Sequence, residues 1–255
     1  GALGIILEQL SGKELLISER QDPFLRTHPL SKDRIKFINK HKLSEKILEP
    51  ERDKIIYKRL KAKIDAFIDP PGKTLLISKS NSMYDKYARA IAYFRIPMYE
   101  EAILAINSLL KDYPNDPYFL ELKGQIYAEN GKIENAILAY KKSLEQTVEP
   151  APLIMLALAN MLLEKKNSKN SYIEAKSLLE KTIFLEPRNI LAWHLKGISH
   201  SKLNEINLAN LSAAEEYLLR NEFKRSKYFA NRVLESSTSG SPQSIRALDI
   251  LNIVN

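Results

Sequence analysis

Histidines are the first side chains to consider for chemistry, because an imidazole can bind a metal or move a proton. The sequence contains four of them, at His28, His41, His194 and His200. None is followed by Glu, and none lies four residues from another, which is the spacing at which two histidines on one helix bind zinc. His194 and His200 are six residues apart. They therefore point to different faces of a helix and cannot hold one metal together.

Other catalytic patterns are also missing from the sequence. The 255 residues include no cysteine, which excludes disulfides, thiol catalysis and zinc ribbons. There is no Gly-x-Ser-x-Gly elbow, no phosphate-binding loop and no constellation of carboxylates. We expect His200, between Ser199 and Ser201, to be an ordinary residue on a helix surface. The sequence thus predicts that this chain alone is not an enzyme and holds no cofactor.

The composition predicts long helices rather than sheets. Hydrophobic residues make up 44% of the chain and charged residues 27%, as is typical of a globular protein. Only 8 glycines occur, and they leave few positions for hairpin turns or phosphate loops. No apolar run reaches the roughly 18 to 20 residues that span a bilayer as a helix.

Positive charge is concentrated in one segment. The formal net charge is +8, and residues 31–66 carry twelve Lys or Arg against six Asp or Glu. A helix is expected from about Glu51 to Ile68, with an apolar face formed by Ile55, Ile56, Leu60, Ile64 and Phe67. The segment favours one alternative function, a helical protein that binds nucleic acid or an anionic membrane surface. Because charged runs on helices are usually solvated, we expect no nucleic acid and at most peripheral membrane contact.

Three short helix-forming runs, each with an Ala and each ending at a proline, indicate an internal repeat. The Ala residues are Ala102, Ala136 and Ala175. The interval between the first two equals the period of about 34 residues that is typical of helical hairpins stacked into a solenoid. The interval to the third is slightly longer, and the polar stretch 165–170 would accommodate the extra residues as a longer turn.

Residues at fixed places in this period resemble the tetratricopeptide repeat. The second repeat matches the family pattern at Leu120, Gly124, Tyr127, Gly131, Ala136 and Tyr140. The fourth repeat matches it at Trp193, Gly197 and Ala209, and the first at Ala90, Tyr93, Ala102, Ile106 and Pro114. The resemblance implies an all-α, right-handed solenoid. Small side chains at Gly124 and Ala136 would let two helices cross closely.

The expected solenoid domain covers residues 71–255 and has about four hairpins from Met83 onward. After Asn204 the register of the repeat breaks, and two further amphipathic helices are expected over residues 206–220 and 222–235. A last helix from Gln243 to Val254 is expected to cap the solenoid.

The first helix of each hairpin forms the concave wall of such a solenoid, and extended concave surfaces of this kind bind other proteins. By the register above, that wall includes Tyr84, Tyr87, Phe94, Arg95, Tyr118, Glu121, Gln125, Glu129, Asn160 and His194. Its mixed aromatic and polar character suits extended or partly unfolded polypeptide. It lacks a dense Lys and Arg ladder, so we expect no strict reader of C-terminal carboxylates.

A second resemblance lies before the repeats. The stretch Asp-Pro-Phe-Leu-Arg-Thr-His-Pro-Leu at residues 22–30, followed by Asp33, Arg34 and Ile35, resembles the end of the catalytic domain in periplasmic zinc metalloproteases of the gluzincin type. Those proteins join this domain to C-terminal tetratricopeptide repeats and act in outer-membrane protein quality control in Gram-negative bacteria. The order of the two parts agrees over nearly the whole chain, and residues 87–93 are similar to the opening of the repeats in alphaproteobacterial members.

This resemblance implies a function and a location for the chain. Residues 1–70 would be the end of the protease domain and a helical linker, and the His-Glu-x-x-His helix that holds zinc would lie upstream of Gly1. His28 would approach that zinc as an extra, regulatory ligand. The chain would be the part of the periplasmic enzyme that recruits polypeptide substrates or envelope assembly proteins.

Overall fold

A computed structural model of the chain describes Lys36, residues 51–96 and residues 98–254. This part of the chain is all-α and contains no strand, so the predicted fold class is confirmed. Twelve helices follow one another in it: α1 (Glu51–Ile68), α2 (Pro71–Ile77), α3 (Met83–Phe94), α4 (Tyr99–Asp112), α5 (Pro117–Glu129), α6 (Ile133–Glu145), α7 (Pro152–Glu164), α8 (Lys169–Leu185), α9 (Ile190–Lys202), α10 (Ile206–Leu219), α11 (Phe223–Ser236) and α12 (Pro242–Val254).

The segment before the repeats is described only in part. The predicted loop at residues 22–30, and His28 with it, lies outside the described residues. The helix expected from Glu51 to Ile68 has those bounds in the structure. From Ile55 onward the chain forms one compact unit, which we describe by itself. The domain boundary after residue 70 stays a prediction.

The helices begin and end at residues whose chemistry suits a helix terminus. Side-chain oxygens at the N-cap accept hydrogen bonds from backbone N–H groups of the first turn at Ser82, Asp116, Ser168 and Asn189. Proline starts α2, α5 and α7, where its missing N–H costs nothing. Positive φ angles of 60–67° follow three helices, at Gly131, Asn204 and Asn221. These signals set short turns and bring consecutive helices together.

Ten of the helices form five hairpins, one more than the sequence analysis predicts. The first helices of the hairpins are α3, α5, α7, α9 and α11, and their starts recur at intervals close to the period of the repeat. The predicted break in register after Asn204 is wrong. Helix α10 pairs with α9 as the second helix of the fourth hairpin, and α11 pairs with α12 in a fifth. The expected helices after Asn204 exist, but they continue the repeat.

A small residue at one position of every first helix explains how the hairpins close. Gly124 in α5 faces the ring of Tyr140 in α6, and a Cβ added at Gly124 would lie 2.7 Å from that ring. The close crossing predicted at Gly124 is confirmed, with Tyr140 as the neighbour that fills it. The equivalent residues of the other hairpins are Ala90, Ala159, Gly197 and Ala230.

Buried side chains form three successive apolar clusters along the solenoid. The first joins α1 to helices α3–α5 and includes Ala66, Tyr87 and Phe119. The second runs through α6–α9, and the third through α10–α12. Helix α1 is thus packed on the start of the solenoid. Among the described helices, none is both long and apolar enough to cross a bilayer.

Candidate functional site

The predicted wall residues lie on the first helices of four hairpins. Nine of the ten are within α3, α5, α7 or α9, and Arg95 is the C-cap of α3. We use the term first-helix wall for the surface formed by α3, α5, α7, α9 and α11. The register of the repeat places these residues there, and their role in binding stays a prediction.

Helix α1 lies against the first-helix wall at its N-terminal end. The guanidinium of Arg59 is 2.5 Å from a carboxylate oxygen of Asp116, which precedes α5. One turn further along α1, the ammonium of Lys63 is 3.3 Å from Glu121 of α5. Both carboxylates are largely buried, so these ion pairs are more shielded from water than ordinary surface pairs. Glu121, predicted as a wall residue, is therefore occupied by the chain itself.

Aromatic rings of the wall also receive cations from α1. The guanidinium carbon of Arg59 lies 4.6 Å from the centre of the Tyr118 ring, and the Lys63 ammonium lies 6.0 Å from it. The Lys58 ammonium is 6.0 Å from the centre of the Tyr84 ring. These are cation–π distances. The wall thus binds a helix through carboxylates and aromatic faces.

Arg95 is hydrogen-bonded to the end of α1. Its guanidinium donates a hydrogen bond to the backbone carbonyl of Ala66 at 2.8 Å and another to the carbonyl of Asp69. These carbonyls belong to the end of α1, where helix carbonyls lack partners in their own helix. Arg95 therefore fastens the C-terminal end of α1 to the first hairpin.

Tyr87 is a buried part of the wall. Its side chain packs edge-on against Phe119 with ring centres 4.9 Å apart. Burial raises the pKa of Tyr87, so the hydroxyl stays protonated at physiological pH. Within the described residues this hydroxyl has no hydrogen-bond partner. Sequence reasoning places Tyr87 on the wall but gives no sign of this unused hydroxyl.

The wall is open further along the solenoid. Leu153 of α7 is 67% exposed and Leu191 of α9 is 51% exposed. Each is the second residue of its helix, as Tyr118 is in α5. Asn160 is half-buried two turns beyond Leu153. Sequence reasoning missed the two leucines, although their place in the repeat is the one that selected Tyr84 and Tyr118.

His194 is the last predicted wall residue, and it is engaged by a neighbouring carboxylate. Its Nδ1 is 2.9 Å from Glu216 of α10, which also accepts a hydrogen bond from Arg220 at 3.0 Å. Glu215 beside it receives two hydrogen bonds from Arg246 of α12. Glu216 therefore links the two helices of the fourth hairpin, and Glu215 ties the fourth hairpin to the fifth.

His200 is buried, so the expectation that it lies on a helix surface is wrong. It is 3% exposed, and its Nδ1 is 2.6 Å from a carboxylate oxygen of Glu205. Lys176 of α8 pairs with the same carboxylate at 3.1 Å. Burial lowers the pKa of His200, and the hydrogen bond from His200 lowers the pKa of Glu205. The tight turn at Asn204 brings Glu205 back onto the end of α9, and no periodicity signals such a contact.

The described residues offer no candidate metal centre, because they bring no three His, Asp or Glu side chains together in a suitable arrangement. The predicted regulatory role of His28 falls outside this part of the chain and stays a prediction.

Comparison with known proteins adds structural neighbours. No family model matches the chain. MamA from Desulfovibrio magneticus RS-1 is 17% identical, covers 69% of this chain and 94% of its own, and has a TM-score of 0.52. Another MamA crystal structure is 18% identical, covers 72% of this chain and 91% of its own, and has a TM-score of 0.51. A tetratricopeptide repeat protein from Parabacteroides merdae covers 99% of this chain at 13% identity, with a TM-score of 0.44.

At these identities the likeness concerns the fold alone. Five stacked hairpins, a regular interval between their first helices and a small residue at one place in each first helix define that fold independently. The chain folds as a tetratricopeptide-repeat solenoid.

Proposed function

We propose that the chain is a protein-interaction module that binds polypeptide segments along its first-helix wall. The observation that carries the proposal is the packing of α1, which is itself a polypeptide segment held on α3 and α5 by ion pairs and aromatic contacts. The wall continues beyond α1 with exposed Leu153 and Leu191. Exposed leucines and the amide of Asn160 on the same wall suit apolar side chains and the backbone of a partly unfolded polypeptide.

Binding of an unfolded protein tests this proposal. We would measure the affinity for fluorescently labelled, reduced lactalbumin with the variants Leu153→Glu and Leu191→Glu. Each substitution would bury a carboxylate in the apolar contact between the wall and lactalbumin, so the affinity should fall by about tenfold. Leu104→Glu and Leu138→Glu are matched controls, since these leucines are 69% and 67% exposed on the second helices α4 and α6. Equal losses in all four variants would contradict binding at the wall.

We further propose that the chain is the recruiting region of a periplasmic zinc metalloprotease. The support is the resemblance of residues 22–30 and 33–35 to the end of that catalytic domain, together with the solenoid that follows. Zinc would be held by a His-Glu-x-x-His helix outside this sequence, and the polypeptides recruited would be substrates or envelope assembly proteins. The coding sequence upstream of Gly1 tests this proposal directly. We expect it to encode a signal peptide and the His-Glu-x-x-His motif.

His28 would restrain the zinc of the whole enzyme under this proposal. His28→Ala in the full-length protease should then raise basal proteolysis with the zinc content intact. An unchanged rate would make His28 an ordinary loop residue.

The ion pairs of α1 weigh against the alternative, binding of nucleic acid or an anionic membrane through residues 31–66. Arg59 and Lys63 are paired with carboxylates of the solenoid, and Lys61 is paired with Asp65. Cations that are already neutralised release fewer counterions when a polyanion binds, so they add little affinity.

A further inference from the structure

A groove lined by α4, α5 and α6 lies outside the first-helix wall. Its volume of ≈ 310 Å³ is at the lower end of the range for small-molecule sites. The α5 residues that line it include Lys123, which is two positions from both Glu121 and Gln125 of the wall. Two such positions are about 200° apart around a helix. The groove therefore lies on the opposite side of α5 from those wall residues.

Most of the groove lining is apolar. The side chains that form its apolar part are Leu110, Pro114, Leu120, Leu138 and Ala139. A water molecule takes about 30 Å³ in the liquid, so the groove has room for about ten non-hydrogen atoms. An aliphatic chain of that size would remove the apolar lining from water, which is favourable.

Two lysines also line the groove, Lys123 of α5 and Lys142 of α6. Within the described part of the chain, neither forms an ion pair with a carboxylate. Lys123 is half-buried, and its ammonium lies 5.7 Å from the centre of the Tyr127 ring. A contact with an aromatic face attracts the cation but does not neutralise it. The groove thus carries two positive charges that no described carboxylate compensates.

The two lysines are close enough to affect each other. Burial lowers the pKa of Lys123, and the charge of Lys142 lowers it further. Both effects destabilise the charged form of Lys123, and an anion between the two ammoniums would stabilise it. Lys141, the next residue along α6, is by contrast already paired with Glu174. Charge complementarity therefore favours an anion in this groove.

We propose that the groove binds a small aliphatic carboxylate. One carboxylate oxygen accepts a hydrogen bond from Lys123 and the other accepts one from Lys142. The aliphatic chain lies against Leu110, Leu120 and Leu138, and the volume of the groove limits it to about eight carbons. Because this site is on the other side of α5 from the first-helix wall, it does not depend on the polypeptide binding proposed above.

Three small molecules test the inference in titrations of the whole chain, followed by the amide signals in NMR spectra. Octanoate should shift the signals of Leu120, Lys123 and Lys142 and saturate with a Kd of about 1 mM or below. Octanamide keeps the chain but has no charge, so its affinity should be at least about fivefold lower. Acetate keeps the charge but lacks the chain, and it should not saturate below about 10 mM.

Lys123→Met and Lys142→Met remove one charge each and keep most of the apolar stem. Each should weaken octanoate binding by about threefold or more, while the affinity for octanamide changes less. Lys181→Met is the matched control, because Lys181 is an exposed lysine of α8 and is not among the residues that line the groove. Removing one of two like charges should leave the melting temperature unchanged or raise it, so a loss of affinity would not report unfolding.

The outcomes separate this inference from the proposed function. Equal affinities for octanoate and octanamide overturn the carboxylate site, and so does octanoate affinity that both lysine variants retain. Octanoate that gives no saturable shift at the groove up to about 10 mM also overturns it. The unfolded-protein assay with the Leu153 and Leu191 variants decides the wider proposal on its own.

Discussion

The carboxylate of Asp116 accepts a hydrogen bond from the guanidinium of Arg59 in α1, and the same carboxylate caps the N-terminus of α5. One oxygen accepts the backbone N–H groups that begin α5, and the other accepts the guanidinium from α1. A single side chain thus starts the second hairpin and positions the helix that precedes the repeats. Through this contact α1 is part of the solenoid, and it occupies the first section of the wall.

The pair makes α1 depend on the second hairpin. Asp116→Asn keeps an N-cap residue but removes the charge, and Arg59→Met keeps most of the apolar stem. We expect either change to lower the free energy of local opening of α1, measured by native-state hydrogen exchange. A double-mutant cycle should give a coupling energy of about 1 kcal/mol, since both side chains are partly shielded. A coupling energy indistinguishable from zero would mean that the pair does not hold α1.

Gly124 and Gly197 occupy the same place in two first helices but should respond differently to alanine. A Cβ at Gly124 meets the Tyr140 ring at 2.7 Å, whereas a Cβ at Gly197 meets its nearest neighbours at 3.6 Å. Gly124→Ala should cost about 1 to 3 kcal/mol by overpacking. Gly197→Ala should stabilise by about 0.5 to 1 kcal/mol, because alanine favours a helix interior.

Urea denaturation followed by circular dichroism measures both glycine variants against the unsubstituted chain. Gly124→Leu would enlarge the clash. A stability unchanged by Gly124→Ala would show that the register of the second hairpin is wrong.

His200 should make stability fall as the pH drops below about 6.5. Burial lowers its pKa in the folded state, so the unfolded chain binds the proton more readily. The stabilisation from the neutral imidazole is present above its unfolded pKa and is lost as the pH falls through the folded one. The charged groups that face His200 are Glu205, Lys176 and Lys196.

The pH dependence of the free energy of unfolding checks this, with His200→Asn as the matched variant. Between about pH 7.5 and 5.5, the unsubstituted chain should lose more stability than the variant. The lowered pKa of Glu205 acts only at more acidic pH, where its stabilisation is lost as the carboxylate is protonated. Parallel curves for the two proteins would contradict the assignment.

The basic segment should bind neither duplex DNA nor anionic vesicles strongly. A salt titration distinguishes a polyanion-binding segment from a solvated one, because binding to a polyanion weakens steeply as the salt concentration rises. We expect weak binding with little salt dependence for both probes. Tight binding that vanishes between low and physiological salt would favour the alternative function.

Local sequence patterns predict most of the helices and hairpins. The features that they do not predict depend on contacts between segments that are distant in the sequence. The helix from Glu51 to Ile68 follows from its spacing and the prolines after it, and the hairpins follow from Ala102, Gly124 and Ala136. The fifth hairpin was not predicted because the runs at Ala102, Ala136 and Ala175 were recognised by the proline that ends each of them, and residues 248–255 after Ala247 contain no proline.

The wall shows the same division between local and distant signals. Register alone places Tyr84, Tyr118 and Glu121 on first helices, since each position recurs with the repeat. The register of the repeat does not predict the position of α1. This helix lies outside the repeat and contacts the wall through Arg59 and Lys63. Pairing of this kind depends on tertiary contacts, and no periodicity records them.

Site-specific photocrosslinking tests the central claim most directly, because it locates a bound polypeptide on the surface. A photoreactive amino acid would replace, one at a time, Leu153 and Leu191 on the first-helix wall and Leu104 and Leu138 on the second helices. With labelled, unfolded lactalbumin as the probe, we predict strong crosslinks from positions 153 and 191 and signals weaker by about tenfold or more from 104 and 138. Equal crosslinking at all four positions, or stronger crosslinking at the second helices, would contradict polypeptide binding along the wall.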